Sequence, residues 1–326
     1  MKHWIAGEKL GQAGLNFGAF KPEAPAIGEM RVEVRAAALN FSDLLMIEDK
    51  YQIKPERPFV PGQEVAGIVS AIGASSKFKI GDRVASKVNW GGFSQSTIVR
   101  EDTAFRLPDH ISFADGAALP VAYMTAMVGL CELGKLSPGD VVLVHAAAGG
   151  VGLAAVQIAK ANGAEIIATA SSAAKLTLAK LHGADHTVSY ASTDWFKQVK
   201  ALTNGRGVDL IFDPVGGQIG TDSLRCIARD GKLLIVGFAS GEIQKLPANR
   251  LLLKRAAAQG VYWSHDEDAE MLDRLTQRLL IMLEAGHIKP HTNTTYSLEQ
   301  LPEALTALSN RSSRGKIILT VGDGNE

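Results

Sequence analysis

The sequence has 326 residues, with 34 Lys and Arg against 34 Asp and Glu, so its formal net charge at pH 7 is zero. Balanced charge without a block of one sign argues against a nucleic-acid-binding protein and against a partner of anionic membranes. The N-terminus lacks the apolar core of a secretory signal, and the only cysteines are Cys131 and Cys226. We therefore expect a reducing, cytoplasmic setting and two thiols that are buried as small hydrophobic groups.

The first part of the chain contains short strand candidates separated by glycine and proline. They read MRVEVRAAAL from Met30, EVAGIVSAIG from Glu64 and GDRVAS from Gly81. This pattern predicts a mostly β, loop-rich domain over residues 1–122.

Residues 141–159, VVLVHAAAGGVGLAAVQIA, form an uncharged run that is long enough to cross a bilayer. However, β-branched residues come first, and Gly149, Gly150 and Gly152 follow them. This order predicts a strand, a tight glycine turn and a helix that begins near Gly150, not a membrane span.

After this run, strand and helix patterns alternate through EIIATA, HTVSY, VDLIFD and KLLIVGF. Such alternation predicts a doubly wound parallel sheet over residues 123–264. The tail, residues 265–326, predicts a long helix and a final strand that could return to either domain. We expect KLLIVGF to lie at or near an open sheet edge, where pairing with a second copy would give a homodimer.

The glycine turn has the spacing of a dinucleotide-binding loop, with alanine at its first place. Glycines in such a loop let the backbone approach a pyrophosphate at the helix N-terminus. The candidate contacts are Ala148, Gly149, Gly150, Val151 and Gly152. A purely structural turn in an α/β domain is the alternative.

The segment that follows EIIATA indicates which dinucleotide is bound. An NAD site usually carries Asp or Glu there, whereas this chain offers Ser171, Ser172 and Lys175. Hydroxyls and an ammonium would donate hydrogen bonds to a 2′-phosphate, so the segment predicts NADPH. The alternative is that a serine only caps the next helix and Lys175 is a solvated surface charge.

Several motifs together resemble a known family: VHAAAGGVGLAAVQIAK, FDPVGG, LNFSD and PFVPGQEVAGIVSAIG. They resemble the zinc-independent quinone oxidoreductases of the medium-chain dehydrogenase/reductase superfamily, in the same order and over essentially the whole chain. The resemblance implies a GroES-like catalytic domain from residues 1–122 and 265–326, with a Rossmann-type NADPH-binding domain at 123–264.

Zinc-dependent relatives hold a catalytic metal with Cys, His and Cys. At the matching places this chain has Asn40, Gln63 and Val121, and the four-cysteine structural zinc lobe is absent from the sequence. None of the three residues suits zinc well, so we expect no metal.

The resemblance also implies the roles of single residues. Asn40 and Tyr51 would be the catalytic residues, while Asp43 and Glu64 would be polar neighbours, with a turn cap and a structural ion pair as alternatives. The cofactor contacts that it implies beyond the glycine turn are Asn40, Thr125, Tyr190, Pro214, Val215, Val236, Gly237, Phe238, Ala239 and Arg311.

The expected reaction is hydride transfer from NADPH to a small electron acceptor, either a quinone or an α,β-unsaturated carbonyl compound, with a proton from Tyr51 or water. An enoyl thioester or acrylate-type reductase is an alternative within the enzymes. An alternative of another class is an NADPH-binding structural or RNA-associated protein with little turnover, as zeta-crystallin suggests.

Overall fold

The structure is a computed structural model that describes residues 1–74, 76–292 and 294–322. The chain divides into two compact units. The first unit consists of residues 1–122 and 290–326, and the second consists of residues 123–289.

The N-terminal part of the first unit is mostly strand, as the sequence predicts. Its elements are β1 (Lys2–Ala6), β2 (Leu15–Ala19), β3 (Glu29–Ala38), α1 (Phe41–Ile47), β4 (Glu64–Ile72), β5 (Arg83–Lys87), β6 (Ser96–Arg100), β7 (Ala104–Arg106) and α2 (Phe113–Ala117).

The second unit alternates strands and helices after an initial helical stretch. Its elements are α3 (Met124–Ala126), β8 (Val141–Val144), α4 (Gly150–Ala161), β9 (Glu165–Ala170), α5 (Ala173–Leu181), β10 (His186–Ser189), α6 (Trp195–Leu202), β11 (Val208–Asp213), α7 (Gly217–Ser223), β12 (Ile227–Ile235), α8 (Ala248–Lys254), β13 (Ala257–Gly260) and α9 (His265–Glu284). The chain then returns to the first unit with β14 (Thr294–Ser297), α10 (Leu301–Ser309) and β15 (Ile317–Thr320).

One helical segment among the described residues, Phe113–Leu133, is long and apolar enough to cross a membrane, and its apolar stretch is 72% buried inside the protein. A buried core helix has the same composition. The run at 141–159 folds instead as β8, a glycine turn and α4, which confirms the sequence prediction.

The sheet of the second unit is parallel, with the order β10-β9-β8-β11-β12-β13. This is the 3-2-1-4-5-6 order of the Rossmann fold, in which the chain reverses its direction of winding beside the first strand. Buried aliphatic residues of β8, β9, β11 and β12 form its core, and the side chains of α6 pack against them.

The predicted segment KLLIVGF lies near the sheet edge but not at it. Residues 232–235 belong to β12, which pairs with β11 on one side and with β13 on the other. The edge strand on this side of the sheet is β13, whose sequence AAQG carries no hydrophobic run. All four of its residues are exposed.

The sheet of the first unit has the order β14-β15-β3-β4-β5-β7, and β6 also pairs with β3. Its neighbours are antiparallel apart from the parallel pair β14 and β15. Strand β15 therefore returns to the N-terminal domain, which confirms the GroES-like part of the fold. Residues Leu298, Leu301 and Leu305 join the core of β3 and β4.

The tail is divided between the units, so the predicted boundary at residue 265 differs from the structural one at 290. Helix α9 belongs to the second unit, where it packs against α3. Its buried residues Leu272, Leu275 and Leu279 recur at helical spacing on one face. That face favours packing on other helices over return to the β-rich unit.

Candidate active site

The predicted cofactor contacts in the second unit cluster at the carboxyl edge of its parallel sheet. Ligands of doubly wound folds bind at this edge, beside the strand where the winding reverses. Each group of contacts comes directly after one strand of the sheet. β8 is followed by Ala148, Gly149, Gly150, Val151 and Gly152; β9 by Ser171, Ser172 and Lys175; β10 by Tyr190; β11 by Pro214 and Val215; and β12 by Val236, Gly237, Phe238 and Ala239.

The glycine turn leaves the first N–H groups of α4 available to a ligand. Gly149 is the N-cap residue, and no side chain caps the helix. A Cβ on Gly152 would lie 2.2 Å from the carbonyl oxygen of Ala146, so only glycine permits this close contact of helix and turn. Unpaired N–H groups at the positive end of a twelve-residue helix fit a pyrophosphate.

The segment after β9 combines two roles. Ser172 is the N-cap of α5, where its hydroxyl accepts a hydrogen bond from the backbone N–H of Lys175 at 3.4 Å. The capping role is therefore observed. Ser171 and Ser172 are exposed, and Lys175 is half-buried. No carboxylate stands among residues 171–175, so a 2′-phosphate meets no like charge there.

Thr125, another predicted cofactor contact, lies in α3 and not in a loop that follows a strand of the sheet. The indole Nε1 of Trp263, which follows β13, donates to the hydroxyl oxygen of Thr125 at 3.1 Å. Trp263 is buried, so this contact fixes the orientation of the Thr125 side chain. The hydroxyl proton of Thr125 can then be donated in another direction.

Asp213 shapes the turn that carries Pro214 and Val215. Its Oδ1 accepts the backbone N–H groups of Val215 and Gly216 at 2.8 and 3.0 Å. Gly216 adopts φ 70°, a left-handed conformation that glycine enters without strain. The motif FDPVGG therefore forms a turn that its aspartate stabilises and that its glycine allows.

Asn40 is the centre of a polar network in the first unit. It is the N-cap residue of α1, and its side-chain Nδ2 donates to Glu64 Oε1 at 2.9 Å. Its Oδ1 accepts from the ammonium of Lys316 at 2.8 Å. Glu64 Oε2 accepts the backbone N–H of Val121 at 2.8 Å. Glu64 and Lys316 also form a direct ion pair that is almost fully buried.

Burial alters the acidity of both carboxyl groups in this network. It raises the pKa of Asp43 to about 7, although the backbone N–H of Asn40 donates to Asp43 Oδ2 at 2.7 Å and opposes that rise. Burial also raises the pKa of Glu64, and the Lys316 ammonium opposes that rise. The capping and ion-pair roles predicted as alternatives for Asp43 and Glu64 are therefore both observed.

Tyr51 lies in the loop after α1 and is half-buried. It packs against an apolar cluster formed by Ala6, Met46 and Phe59. Arg57 fixes the same loop, because its guanidinium donates to the carbonyl oxygens of Gly7 and Ile47 at 2.6 and 2.7 Å. The aromatic ring thus rests on an apolar support.

Arg311 lies in the turn between α10 and β15 of the first unit, and its side chain is exposed. Its backbone adopts φ 53°. Of the two cysteines, Cys226 is buried as predicted, whereas Cys131 is only partly buried.

Comparison with known proteins connects both units to one family. A model of the alcohol dehydrogenase GroES-like domain matches residues 26–109, and a model of the zinc-binding dehydrogenase domain matches residues 150–277. The rat quinone oxidoreductase-like protein 2 is 37% identical over 297 residues, which cover 90% of this chain and 85% of the relative. This chain belongs to the quinone oxidoreductase family of the medium-chain dehydrogenase/reductase superfamily.

Two further relatives of this chain carry different names. The structure of Escherichia coli quinone oxidoreductase complexed with NADPH is 30% identical, with a TM-score of 0.91 and coverage of 98% of this chain and 100% of that chain. The human synaptic vesicle membrane protein VAT-1 homolog is 32% identical over 323 residues, which cover 94% of this chain and 82% of the relative. The predicted family and the two-domain fold are confirmed.

At the three positions that match the catalytic zinc ligands of zinc-dependent relatives, this chain has groups that do not form a zinc ligand set. The amide of Asn40 donates to Glu64, Gln63 accepts a hydrogen bond from Ser42, and Val121 offers only its backbone N–H. Across residues 1–74, 76–292 and 294–322, no three His, Cys, Asp or Glu side chains form a group that could hold a metal.

Sequence reasoning missed Lys316 and Trp263. Lys316 stands alone before an apolar strand and resembles a surface charge, yet its side chain is only 5% exposed. Trp263 has no motif around it. The signal that could have found Lys316 is the ion pair given as an alternative role for Glu64, because a buried carboxylate requires a cation or several donors.

Proposed function

We propose that this protein is an NADPH-dependent oxidoreductase that reduces a quinone or an α,β-unsaturated carbonyl compound without a metal. The observation that carries the proposal is the network at Asn40. At a position that matches a metal ligand of the zinc-dependent relatives stands an amide, which is held between the buried charges of Glu64 and Lys316. Such a network can donate a hydrogen bond to an acceptor oxygen.

The carboxyl edge of the second unit supports NADPH as the hydride donor. The open N-terminus of α4 fits the pyrophosphate, and Ser171, Ser172 and Lys175 fit the 2′-phosphate. NADPH supplies the hydride when bound. The chain's own residues bind and orient it, and Thr125 contributes a hydroxyl whose direction Trp263 fixes.

At the acceptor, negative charge develops on oxygen as the hydride arrives. Asn40 stabilises that oxygen with an N–H group, and the proton comes from the Tyr51 hydroxyl or from water. Alcohol oxidation has a different requirement, because an alcohol needs a Lewis acid to lower its pKa. The donor set at Asn40 therefore favours reduction of activated acceptors.

The test is to follow NADPH consumption across a panel of quinones, enones and enoyl thioesters. Turnover with at least one of these acceptor classes is the expected result, and the preferred class identifies the substrate chemistry. Tight NADPH binding without turnover on any of them would contradict the proposal. That result would favour the alternative of a structural NADPH-binding protein with little turnover.

We propose in addition that the protein is a homodimer in which β13 of one copy pairs with β13 of the other. The four residues of β13 are exposed at the edge of the sheet, where backbone N–H and C=O groups can pair with a second strand. Leu252, Leu253 and Tyr262 are large apolar side chains near this edge in sequence, and each is mostly exposed. Exposed apolar surface beside an open strand favours a partner.

A further inference from the structure

We propose that Lys316 is a positioning residue that fixes the amide of Asn40 so that only an N–H group can face the acceptor. The inference rests on the proposed function, in which Asn40 stabilises the acceptor oxygen. It concerns a residue that the sequence analysis did not single out and that reaches Asn40 from the far end of the chain, one residue before β15.

The chemistry of the two charged neighbours determines which way the amide points. An ammonium can only donate hydrogen bonds, and a carboxylate can only accept them. The atom of Asn40 beside Lys316 must therefore be Oδ1, at 2.8 Å, and the atom beside Glu64 must be Nδ2, at 2.9 Å. Rotating the amide by half a turn would place its NH2 group against the ammonium and its oxygen against the carboxylate.

All three N–H groups of the Lys316 ammonium make hydrogen bonds. Its three N–H groups meet the carbonyl oxygen of Leu39 at 2.7 Å, the Oδ1 of Asn40 and the Oε1 of Glu64. The Lys316 side chain is only 5% exposed and the Glu64 side chain is fully buried. Neither group can turn to water, so both hold one geometry.

A count of hydrogen-bonding capacity gives the consequence for Asn40. The amide has two N–H groups, and Glu64 accepts one of them. Its oxygen accepts from Lys316, while the backbone N–H of Asp43 donates to the backbone carbonyl oxygen of Asn40. One N–H group remains for a ligand. Asn40 is thus restricted to the role of a donor, which is the role that a developing oxyanion needs.

The first arm of the test is kinetic, and its variants are Lys316→Met, Asn40→Ala and the double variant. We expect Lys316→Met to lower kcat for the acceptor by ~10- to 100-fold while the KM for NADPH changes little, because a misplaced donor loses most of its effect. If Lys316 acts through Asn40, adding Lys316→Met to Asn40→Ala costs nothing further. Independent, multiplicative losses in the two single variants would overturn the inference.

The second arm reads the amide directly and does not depend on turnover. In protein labelled with ¹⁵N-asparagine, Lys316→Met should shift the two Nδ2 proton resonances of Asn40, whereas unchanged resonances would overturn the inference. If wild-type protein reduces no acceptor but the resonances shift, the proposed function fails and the positioning stands. The two claims can therefore fail separately.

Two further variants separate positioning from loss of stability. Ile317→Ala removes buried contacts from the next residue, the first of β15, without touching the ammonium. It should leave the Asn40 resonances and kcat near wild type, and a loss of kcat equal to that of Lys316→Met would assign the effect to packing. If Lys316→Met does not fold because Glu64 is left unpaired, Lys316→Met with Glu64→Gln removes both charges and should reproduce the kinetic and spectroscopic changes.

Discussion

Lys175 carries the cofactor preference that we propose, because it is the cation in the segment after β9. Replacing it with alanine should weaken NADPH binding by ~10-fold or more and leave NADH nearly unchanged, since a charge-assisted contact to a 2′-phosphate is lost. Calorimetric titration with both dinucleotides measures the difference. Lys180→Ala, an exposed lysine on the same helix, is the control and should change neither affinity.

Equal losses of NADPH and NADH affinity in Lys175→Ala would contradict the 2′-phosphate role. That result would assign Lys175 to the stability of α5. The cap that Ser172 provides does not depend on the lysine side chain, because its hydroxyl accepts from the backbone N–H of residue 175.

Tyr51 can be a proton donor or a wall of the pocket, and its surroundings favour the wall. Its ring packs in an apolar cluster with Met46 and Phe59, and water can deliver the proton in its place. We therefore expect Tyr51→Phe to change the KM of the acceptor and to leave kcat nearly unchanged in steady-state assays. A fall in kcat of ~10²- to 10⁴-fold would show instead that the hydroxyl acts as a general acid.

His145 is a buried residue whose two ring nitrogens both make hydrogen bonds. Its Nε2 lies 2.8 Å from the hydroxyl of Ser223, which itself donates to the carbonyl oxygen of Ile219. Nε2 must therefore carry the proton, and Nδ1 accepts from the hydroxyl of Thr169 at 2.7 Å. Burial lowers the pKa of His145 to about 4, and the nearby charge of Asp213 only partly opposes this.

The second unit should consequently lose stability as the pH falls. Histidine in the unfolded chain has a pKa of 6.5, so between 6.5 and about 4 the unfolded state binds more protons than the folded one. The stabilising contribution is complete above pH 6.5 and decreases towards pH 4, by ~3 kcal/mol in all. Urea denaturation at several pH values, compared between wild type and His145→Gln, measures this contribution.

The comparison with His145→Gln is needed because Asp43 acts in the opposite direction. Its pKa is raised from 3.8 to about 7, so its contribution to stability decreases as the pH rises through that range. The difference between wild type and variant cancels Asp43 and isolates His145. A difference in unfolding free energy that stays constant from pH 7 to pH 4 would contradict the assignment of a neutral, buried imidazole.

Among the elements, β13 decides the proposed dimer. The sequence analysis pointed to β12 because KLLIVGF is apolar. However, β12 is apolar because it is an interior strand with neighbours on both sides. The real edge, AAQG, is short and lacks β-branched residues, so hydrophobic patterning could not find it. Edge strands are often of this kind, because a long apolar edge invites aggregation.

Charging the exposed apolar surface of α8, which packs on β12 and precedes β13 in the sequence, should separate the proposed dimer. Leu252→Asp with Leu253→Asp places two carboxylates on α8, where both leucines are mostly exposed. Light scattering should report a monomer for this variant and a dimer for wild type. Leu181→Asp is the matched control, since Leu181 is 78% exposed, as Leu252 is, but lies at the end of α5, which packs on β9 and β10. A wild-type monomer at all concentrations would contradict the proposal.

For the whole molecule, periodicity predicted both kinds of domain because strands and helices have different repeats. The glycine turn and the β-rich beginning followed directly from sequence order. Two features did not follow. The boundary near residue 290 depends on which helices α9 packs against, and the burial of Lys316 depends on a carboxylate of β4 that lies far away in sequence. Contacts between distant segments of this kind leave no local pattern in a single sequence.

The central claim is that the protein reduces activated acceptors with NADPH and needs no metal. The most direct test treats the protein exhaustively with a chelator, verifies the zinc content by elemental analysis, and then measures NADPH-dependent reduction of quinones and enones beside NADP⁺-dependent oxidation of simple alcohols. We expect acceptor reduction to be unchanged by chelation and alcohol oxidation to be absent, since Asn40, Gln63 and Val121 provide no thiolate or imidazole. Alcohol oxidation that the chelator abolishes, with no reduction of quinones or enones, would contradict the account.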